Sequence, residues 1–572
     1  MGIRMRARRA RLFVPLLLVA GLLVAAPVGT AQGAPPAAPA ATKAAKPKFT
    51  APAGFDVSAP MREVAKRAAA RVGTAGAVDA ERGAVPADRG FTGDGALQGS
   101  AAARAGTEAV SAPLVNFEGI AGPDNIPFLG GIPIPPDPDG DVGPNHYVQM
   151  VNTAWAVYSK TGTRLLGPAS LASIWAGFEV PDCEDNSGDP IVLHDQLADR
   201  WILTQFTTAG LNVPAGTFYN CVAISATADP TGSYYRYAFS TGPNFPDYPK
   251  YGVWPNAYFA TTREFGQVDF AGIGVYALER AKMLRGNPTA RAVSVLVGPA
   301  TGAPAYLTGD GWLPSDWDGN RRPPAGSPNY IVGTQDDEGP YGAPFDAINL
   351  FKFDVSWGPT PTATFTGPET LPVAEFDSIY PCVGRQCIPQ PDTDVGLDIL
   401  SYRQRPTWRL AYRNFGTYES LVTSQSVEAR PGIAGMRWYE LRRPGNQPIV
   451  YQQGTYAPAD DLNRWMGSIA QNRRGAMALG YSVSSETTYP GIRYTGRLRN
   501  DVPNQMPQGE GTIVEGSGSQ TDPAARWGDY TAMHIDPVDD CTFWYTNQYY
   551  AVTSPRNWQT RIAAFRLPGC TG

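Results

Sequence analysis

The chain has 572 residues, a formal net charge of −5 and 17% charged residues, with 62 glycines, 54 prolines and 11% aromatic residues. This much glycine and proline excludes a coiled coil, and the aromatic content excludes a wholly disordered chain. The acidic balance also excludes a basic nucleic-acid-binding protein.

The first 31 residues have the features of a secretory signal peptide. Five arginines between Arg4 and Arg11 precede an apolar run from Leu12 to Val28, and small residues follow at positions 29–31. The run is short for a membrane span and contains Pro15, and no later run approaches about 20 apolar residues. We therefore expect cleavage, a secreted extracellular protein, and no membrane span.

Residues 32–112 differ in composition from the rest of the chain. They are rich in Ala, Pro and Gly and contain neither Trp nor Tyr. This composition predicts a disordered linker or pro-segment without a core of its own, carrying at most a short amphipathic helix at residues 60–72. The folded part is expected to span residues 113–572.

Six cysteines fit an oxidising compartment. Their even number on an exported chain favours disulfides over metal ligands, and CxxC spacing is absent. Six cysteines allow 15 pairings, so sequence alone leaves the pairing open. Sequential pairing is the simplest arrangement: Cys183–Cys221, Cys382–Cys387 and Cys541–Cys570.

An internal repeat of about 50–80 residues begins near residue 140. In each copy a turn-forming group precedes an alternating apolar strand. The seven copies begin at Pro144, Asp199, Pro255, Pro328, Pro406, Arg474 and Asp540. Alternation and frequent turns favour antiparallel strands, and about four strands per copy favour a propeller blade over a β-sandwich. The prediction is an all-β fold, a single seven-bladed β-propeller closed by residues 114–117 beside the last blade.

Three copies share the pattern G-D-x-x-x-x-H, which contains all three histidines. The pairs are Asp141 and His146, Asp189 and His194, and Asp529 and His534. Because blades one, two and seven are neighbours in a closed ring, these residues are expected near its axis. Converging carboxylates suit Ca²⁺ and histidines suit a transition metal, whereas hydrogen bonding between blades is the structural alternative. No cofactor is certain, and calcium is the candidate.

Several segments resemble a widespread group of secreted bacterial β-propeller proteins, most of them functionally uncharacterised. They are residues 136–149, 188–190, 452–458, 464–468, 526–530 and 539–547. The resemblance covers residues 113–572 and implies an architecture rather than a reaction. His194 and His534 depart from the group, in which Tyr or a small polar residue more often occupies these positions.

A looser resemblance is to sialidases and related propeller glycosidases. It implies an arginine cluster, a Tyr–Glu nucleophile pair and an acidic general acid/base. The candidates are Arg413, Arg464, Arg493, Arg526, Tyr418, Glu419 and Asp529, with Tyr530, Trp465 and Trp527 for stacking on sugars. The Asp-box of that family is absent, and residues 315–320 approach it only in part.

Two functions remain open, and in both the partner is an extracellular glycan or cell-surface polymer. We expect the protein to be a monomer. The first is a glycoside hydrolase or lyase with its site at the channel mouth. Loop residues from many blades meet at such a mouth, and this favours an active site there. It requires two carboxyl groups about 5–9 Å apart in an open, aromatic-lined pocket. The second is a noncatalytic binding or adhesion protein, which requires an exposed face and paired acids. Metalloprotease, serine-hydrolase and nucleotide-binding motifs are absent from the sequence.

Overall fold

The computed structural model describes residues 46–68, 90–99 and 110–571, apart from 214, 267–268, 383 and 400–403. The chain divides into a unit of residues 1–40, which contains none of these, and a unit of residues 41–572. The predicted signal peptide therefore lies outside the described residues.

The described residues form thirty strands, with the following bounds. The first fifteen are β1 (Lys48–Thr50), β2 (Gly54–Val57), β3 (Val115–Glu118), β4 (Asp139–Val142), β5 (His146–Val151), β6 (Ala154–Ser159), β7 (Arg164–Ser170), β8 (Val192–Asp195), β9 (Arg200–Phe206), β10 (Phe218–Ser225), β11 (Tyr234–Gly242), β12 (Phe245–Val253), β13 (Tyr258–Phe265), β14 (Phe270–Leu278) and β15 (Ala292–Val297). The others are β16 (Leu313–Asp318), β17 (Asn329–Gln335), β18 (Ala347–Ser356), β19 (Thr362–Pro372), β20 (Thr407–Asn414), β21 (Glu419–Arg430), β22 (Ile433–Arg442), β23 (Ile449–Tyr456), β24 (Asn463–Gln471), β25 (Met477–Ser484), β26 (Gly491–Arg497), β27 (Glu510–Val514), β28 (Ala532–Ile535), β29 (Phe543–Tyr549) and β30 (Gln559–Phe565).

Helices are few and short in the described part of the chain. They are α1 (Met61–Ala68), α2 (Ile126–Leu129), α3 (Arg280–Met283) and α4 (Ala305–Thr308), with 3₁₀ turns at Gly122–Asn125, Leu171–Trp175, Pro181–Glu184, Ala209–Asn212 and Pro299–Thr301. Among the described residues, no helix has the length and apolar character needed to cross a bilayer.

The strands assemble into four-stranded antiparallel units. Six sheets are present, and the eight-stranded one consists of units β16–β19 and β20–β23, joined by parallel pairing of β16 with β20. The described residues thus contain seven such units; the others are β4–β7, β8–β11, β12–β15, β24–β27 and β28–β30 with β3.

The first strands of these units surround a common axis. Strand β4 contacts β8, and contacts continue through β12, β16, β20 and β24 to β28, which contacts β4 again. The all-β, propeller-like fold is therefore confirmed. The count of seven blades stays a prediction, which this closed series of contacts supports.

The last unit joins the two ends of the folded region. Strand β3 pairs with β30, from Val115 opposite Ala564 to Glu118 opposite Arg561, as predicted for residues 114–117. The Cys541–Cys570 disulfide lies in the same unit, and the other disulfides are Cys183–Cys221 and Cys382–Cys387. The structure thus has the sequential pairing.

Burial explains why the strand pattern is clearer in some places than in others. Every residue of β25 and β29 is buried, whereas β19, an outer strand, begins with alternating exposed and half-buried residues. Both faces of β25 and β29 are covered, so apolar residues need not alternate with polar ones and a strict period of two is lost. The repeat copy at Pro406 also falls on a first strand, β20, although the other six copies fall on second strands.

The linker prediction for residues 32–112 needs correction at two segments. Strand β1 pairs with β15 and β2 pairs with β11, each adding a fifth strand to an existing sheet. Residues 90–99 lie against the β20–β23 unit, where Leu97 bridges Thr455. These segments satisfy their backbone hydrogen bonds on the edges of other sheets.

The predicted helix at residues 60–72 is present as α1. Met61 and Val64 are buried, and Ala65 packs against the same cluster, which contains Leu171 and Trp175. Residues 69–72 lie outside the described residues.

Candidate functional site

Charged side chains gather at both ends of the first strands, β4, β8, β12, β16, β20, β24 and β28. We call the end at which these strands begin the upstream end and the end at which they finish the downstream end. The predicted site residues are divided between the two.

Two acids of the upstream end, Asp398 and Asp529, are paired with arginines. Arg526 lies 2.7 Å from Asp398 and 2.9 Å from Asp529, and Asp529 is 3.7 Å from Arg405. Asp137 accepts a 2.6 Å hydrogen bond from the backbone N–H of Asp529. Burial, followed by the charges of Asp529 and Asp189, raises the pKa of Asp137 well above its ordinary value. These groups form an ion network that holds the upstream end together.

Lys250 fills the centre of this network. Its Nζ lies 3.5 Å from the ring centre of Tyr248 and 3.9 Å from that of Tyr530, and it donates to the Pro249 carbonyl at 2.9 Å. Burial lowers the pKa of Lys250 to about 8 and raises that of Asp189 to about 7. Lys250, Tyr248 and Tyr530 are all buried, so they do not form an exposed ligand-binding surface.

The expectation of an open, aromatic-lined mouth at this end therefore needs correction. Tyr530, Trp465 and Trp527 have no exposed surface, and Asp529 is 8% exposed. The two indole rings pack on one another at 5.6 Å, and Trp527 donates to Ser482. These groups stabilise contacts between units and do not face solvent.

The downstream end holds a small pocket to which five first strands contribute. It is lined by Asp141, Val142, His194, Gln196, Asp316, Trp317, Asp318, Arg409, His534, Ile535 and Pro537. Arg409 donates to Asp316 at 2.8 Å and to Asp318 at 2.6 and 3.0 Å, and it also reaches the Met533 carbonyl at 3.2 Å. Burial raises the pKa of Asp316 to about 6 in spite of the nearby guanidinium.

The structure separates the predicted metal ligands. Asp141, His194 and His534 all line the downstream pocket, where Asp141 and His534 are 3.1 Å apart and His194 pairs with Asp199 at 2.9 Å. Asp189 and Asp529 belong to the upstream end, and His146 begins β5 rather than lying in a first strand. The shared pattern has a different position in the first unit, because Asp141 lies within β4 whereas Asp189 and Asp529 precede β8 and β28.

The residue equivalent to Asp189 in the first unit is Asp137. Both have positive φ, 44° and 45°, and both precede a proline. An Asp-Pro dipeptide identifies this position in the sequence. The G-D-x-x-x-x-H pattern led to Asp141 instead of Asp137.

A different group of acids is close enough to share a cation. Ligand oxygens of Asp336, Asp337, Glu338 and Asp346 all lie within 4.8 Å of one another, the only such group among the described residues. Burial raises the pKa of Asp346 to about 9 and that of Glu338 to about 7. A carboxylate cluster does not by itself define a metal site, so calcium remains a hypothesis without a located site.

Glu338 gives a pH-dependence prediction. Its pKa is about 7 in the folded chain and about 4.3 when unfolded, so its contribution to stability is present below pH ~4 and is lost as pH rises through 7. Glu338→Gln removes this loss. In urea unfolding, the free energy of unfolding of the variant relative to wild type should increase by about 1 kcal/mol from pH 4.5 to pH 8, after discounting for solvent screening. An unchanged difference at both pH values would contradict the assignment.

A larger, open pocket lies at the downstream end of the β20–β23 unit. It has a volume of about 570 Å³ and is formed by the loop between β20 and β21 and the loop between β22 and β23. Its lining residues are Pro324, Asn414, Gly416, Thr417, Tyr418, Glu419, Arg442, Arg443, Gly445, Asn446, Ile449 and Tyr451. We call it the Tyr418 pocket.

Four planar groups stack along one side of this pocket. Phe415 stacks on Tyr418 with ring centres 4.7 Å apart and 20° between planes. The Arg442 guanidinium then lies 4.0 Å from the Tyr418 ring and 3.3 Å from the Tyr451 ring. Tyr451 ends the stack and is 48% exposed. The stack therefore presents a fixed, solvent-facing aromatic ring.

Polar groups complete the pocket. The Glu419 carboxylate accepts a hydrogen bond from Tyr412, which orients it. The Tyr418 hydroxyl is buried and has no hydrogen-bond partner among the described residues, and burial raises its pKa, so it stays protonated at neutral pH.

The five predicted catalytic residues do not form one site. Asp529, Tyr530 and Arg526 meet at the upstream end, whereas Glu419 lies in the Tyr418 pocket. Arg413 lies beside the pocket but binds Asp540 at 2.6 Å and the Gln471 carbonyl at 2.8 Å. Arg442 and Tyr451 were missed, although both flank the Pro444-Gly445 turn of a hairpin, a place where ligand-binding side chains are common.

No protein-family model and no curated protein sequence matches the chain. Among solved structures it is similar to the Penicillium chrysogenum α-L-arabinanase complexed with arabinobiose, at 12% identity and TM-score 0.29, covering 57% of this chain and 94% of that one. It is also similar to the WD40 domain of SCAP from fission yeast, at 8% identity and TM-score 0.29, covering 74% and 82%. A third is the α-L-arabinofuranosidase PaAbf62A from Podospora anserina in complex with cellotriose, at 9% identity, TM-score 0.26, covering 66% and 89%. Likeness this low carries no argument about activity.

Proposed function

We propose that this protein is a secreted, noncatalytic propeller that recognises an extracellular glycan in the Tyr418 pocket. The observation that carries the proposal is the stack that ends in the exposed ring of Tyr451 beside an open pocket of about 570 Å³. Ligand pockets of small molecules span about 300–1,000 Å³. An exposed ring with polar groups around it suits a sugar, which has apolar C–H faces and a rim of hydroxyls.

The ion-paired acids at the upstream end argue against a catalytic site at that end. Asp529 and Asp398 are held by Arg526, and the aromatic rings around them are buried. The described residues of the upstream end therefore do not form the open, aromatic-lined surface that the hydrolase hypothesis requires.

The Tyr418 pocket also lacks the carboxyl pair of a glycosidase. Most glycoside hydrolases use two acids about 5–9.5 Å apart. Of the pocket's lining residues, Glu419 is the only acid. Hydrolysis of a bound glycan is therefore the competing outcome, and a reducing-sugar assay of wild type and Glu419→Gln separates the two.

The proposed organisation is a signal peptide at 1–31, a segment of 32–112 that docks in part, and a seven-bladed propeller at 113–572. Three disulfides are consistent with export to an oxidising compartment. We propose that a protein with this organisation is a monomer.

Tyr451→Ala should weaken glycan binding about tenfold, because it removes the exposed end of the stack. The test is isothermal titration of the full chain with soluble amylose, xylan and polygalacturonate. Tyr306→Ala, a half-exposed tyrosine outside the pocket, serves as the control and should leave the affinity unchanged. Equal losses in the two variants, or wild-type affinity in Tyr451→Ala, would contradict the proposal.

A further inference from the structure

We infer that the glycan carries anionic groups, carboxylates or sulfates, and that Arg442 binds them. The inference rests on the proposed function of the same pocket. It comes from the way in which the Arg442 side chain is fixed and from the charges around it.

The Arg442 guanidinium is held on three sides. The ring centres of Tyr418 and Tyr451 lie 4.0 and 3.3 Å from its central carbon, and its Nε donates to Glu440 at 2.7 Å. Its two terminal nitrogens have no acceptor among the described residues, and the side chain is 18% exposed. The fork formed by these nitrogens is thus fixed at the edge of the pocket.

A fixed guanidinium fork matches the two oxygens of a carboxylate or sulfate. The N–H groups of arginine form two parallel hydrogen bonds to such groups, which a sugar hydroxyl cannot reproduce. Because the rings already immobilise the side chain, binding costs little additional conformational entropy.

The remaining charges leave the pocket positive. Glu440 is buried and its carboxylate is taken up by Arg442, Ser420 and Gln452. Arg443 is exposed on the pocket lining, and the Arg499 guanidinium lies 5.7 Å from the Tyr418 ring. Three guanidinium groups thus face two carboxylates, those of Glu419 and Glu440.

This local charge contrasts with the chain as a whole. The formal net charge is −5, and removal of residues 1–31 with their five arginines makes it −10. An acidic surface disfavours polyanions in general, so a positive pocket restricts anion binding to one place. We therefore expect recognition of single acidic sugar units rather than diffuse attraction to a polymer.

The test uses the full chain and three matched pairs of probes. They are galacturonate oligosaccharides and their methyl esters, glucuronate-bearing xylan oligosaccharides and their carboxyl-reduced forms, and sulfated and desulfated galactan oligosaccharides. Wild type should bind at least one acidic member at least tenfold more tightly than its neutral partner. The pair that shows the preference distinguishes carboxylate from sulfate.

Arg442→Gln should reduce that preference to less than about threefold while retaining the weak binding of the neutral probe, and Arg442→Lys should be intermediate. Arg474→Gln, which removes an exposed arginine outside the pocket, makes the same change in net charge and should keep the preference. Urea midpoints confirm that each variant is folded.

Each other outcome overturns a defined statement. Equal affinity of wild type for acidic and neutral members would overturn the inference and leave the proposed function standing. Loss of the preference in Arg474→Gln as well would assign it to overall charge and overturn the role of Arg442. Binding of none of the six probes would overturn the proposed function itself.

Discussion

Replacing Arg409 by methionine is expected to lower the free energy of unfolding by about 3–5 kcal/mol. Arg409 is 1% exposed and links three units: its guanidinium binds Asp316 and Asp318 of β16 and the Met533 carbonyl of β28. Methionine fills much of the same volume but leaves two buried carboxylates without a cation. Urea unfolding of wild type and variant measures the loss.

The deficit of Arg409→Met should be larger at pH 8 than at pH 5. The pKa of Asp316 is already raised to about 6, and without the guanidinium it rises further. Stability that depends on a protonated carboxyl is present at low pH and is lost as pH rises through the folded pKa. Arg62→Met is the control, because the Arg62 and Asp229 side chains are 54% and 47% exposed, and the expected change is below about 0.5 kcal/mol. A deficit as small in Arg409→Met would contradict the assigned role.

Asp94→Asn is expected to cost about 3 kcal/mol and to release the segment that carries it. Asp94 and Arg437 form an ion pair at 2.9 Å, and neither side chain has exposed surface. Asp94 also accepts hydrogen bonds from Thr455 and from the Ala96 backbone N–H. The substitution leaves a buried guanidinium without its counterion.

Limited proteolysis with mass spectrometry, together with urea unfolding, measures both effects. Cleavage within residues 90–99 should become faster in Asp94→Asn than in wild type. Glu63→Gln, an acid-to-amide change at an exposed position of α1, should change neither readout. Unchanged cleavage and stability in Asp94→Asn would mean that this segment does not depend on the ion pair.

The architecture was largely accessible from the sequence because turns and strands recur along the chain. Each unit needs a turn before its second strand, so groups such as Pro144-Asn145 and Pro328-Asn329 mark the repeat. The docked strands β1 and β2 were not accessible, because their stability comes from pairing with β15 and β11 rather than from their own composition. Composition alone therefore placed them in a linker.

The candidate site was only partly accessible, for a related reason. Glu419 and Tyr418 were identified as candidates, but Arg442 and Tyr451, which stack with Tyr418, lie on a neighbouring hairpin. No spacing rule connects residues that meet through a sheet. Conversely, the regular G-D-x-x-x-x-H pattern suggested one site. Because Asp141 lies within β4 whereas Asp189 and Asp529 precede β8 and β28, the three aspartates are divided between the two ends.

The most direct test of the central claim is a crystal structure of the full chain bound to the acidic oligosaccharide that it binds most tightly, or to a galacturonate trisaccharide if the acidic probes bind equally. We expect a sugar ring on the exposed face of Tyr451 and an anionic group within hydrogen-bonding distance of the Arg442 terminal nitrogens. An ordered sugar at the upstream end or in the pocket around Arg409, with none in the Tyr418 pocket, would contradict the account.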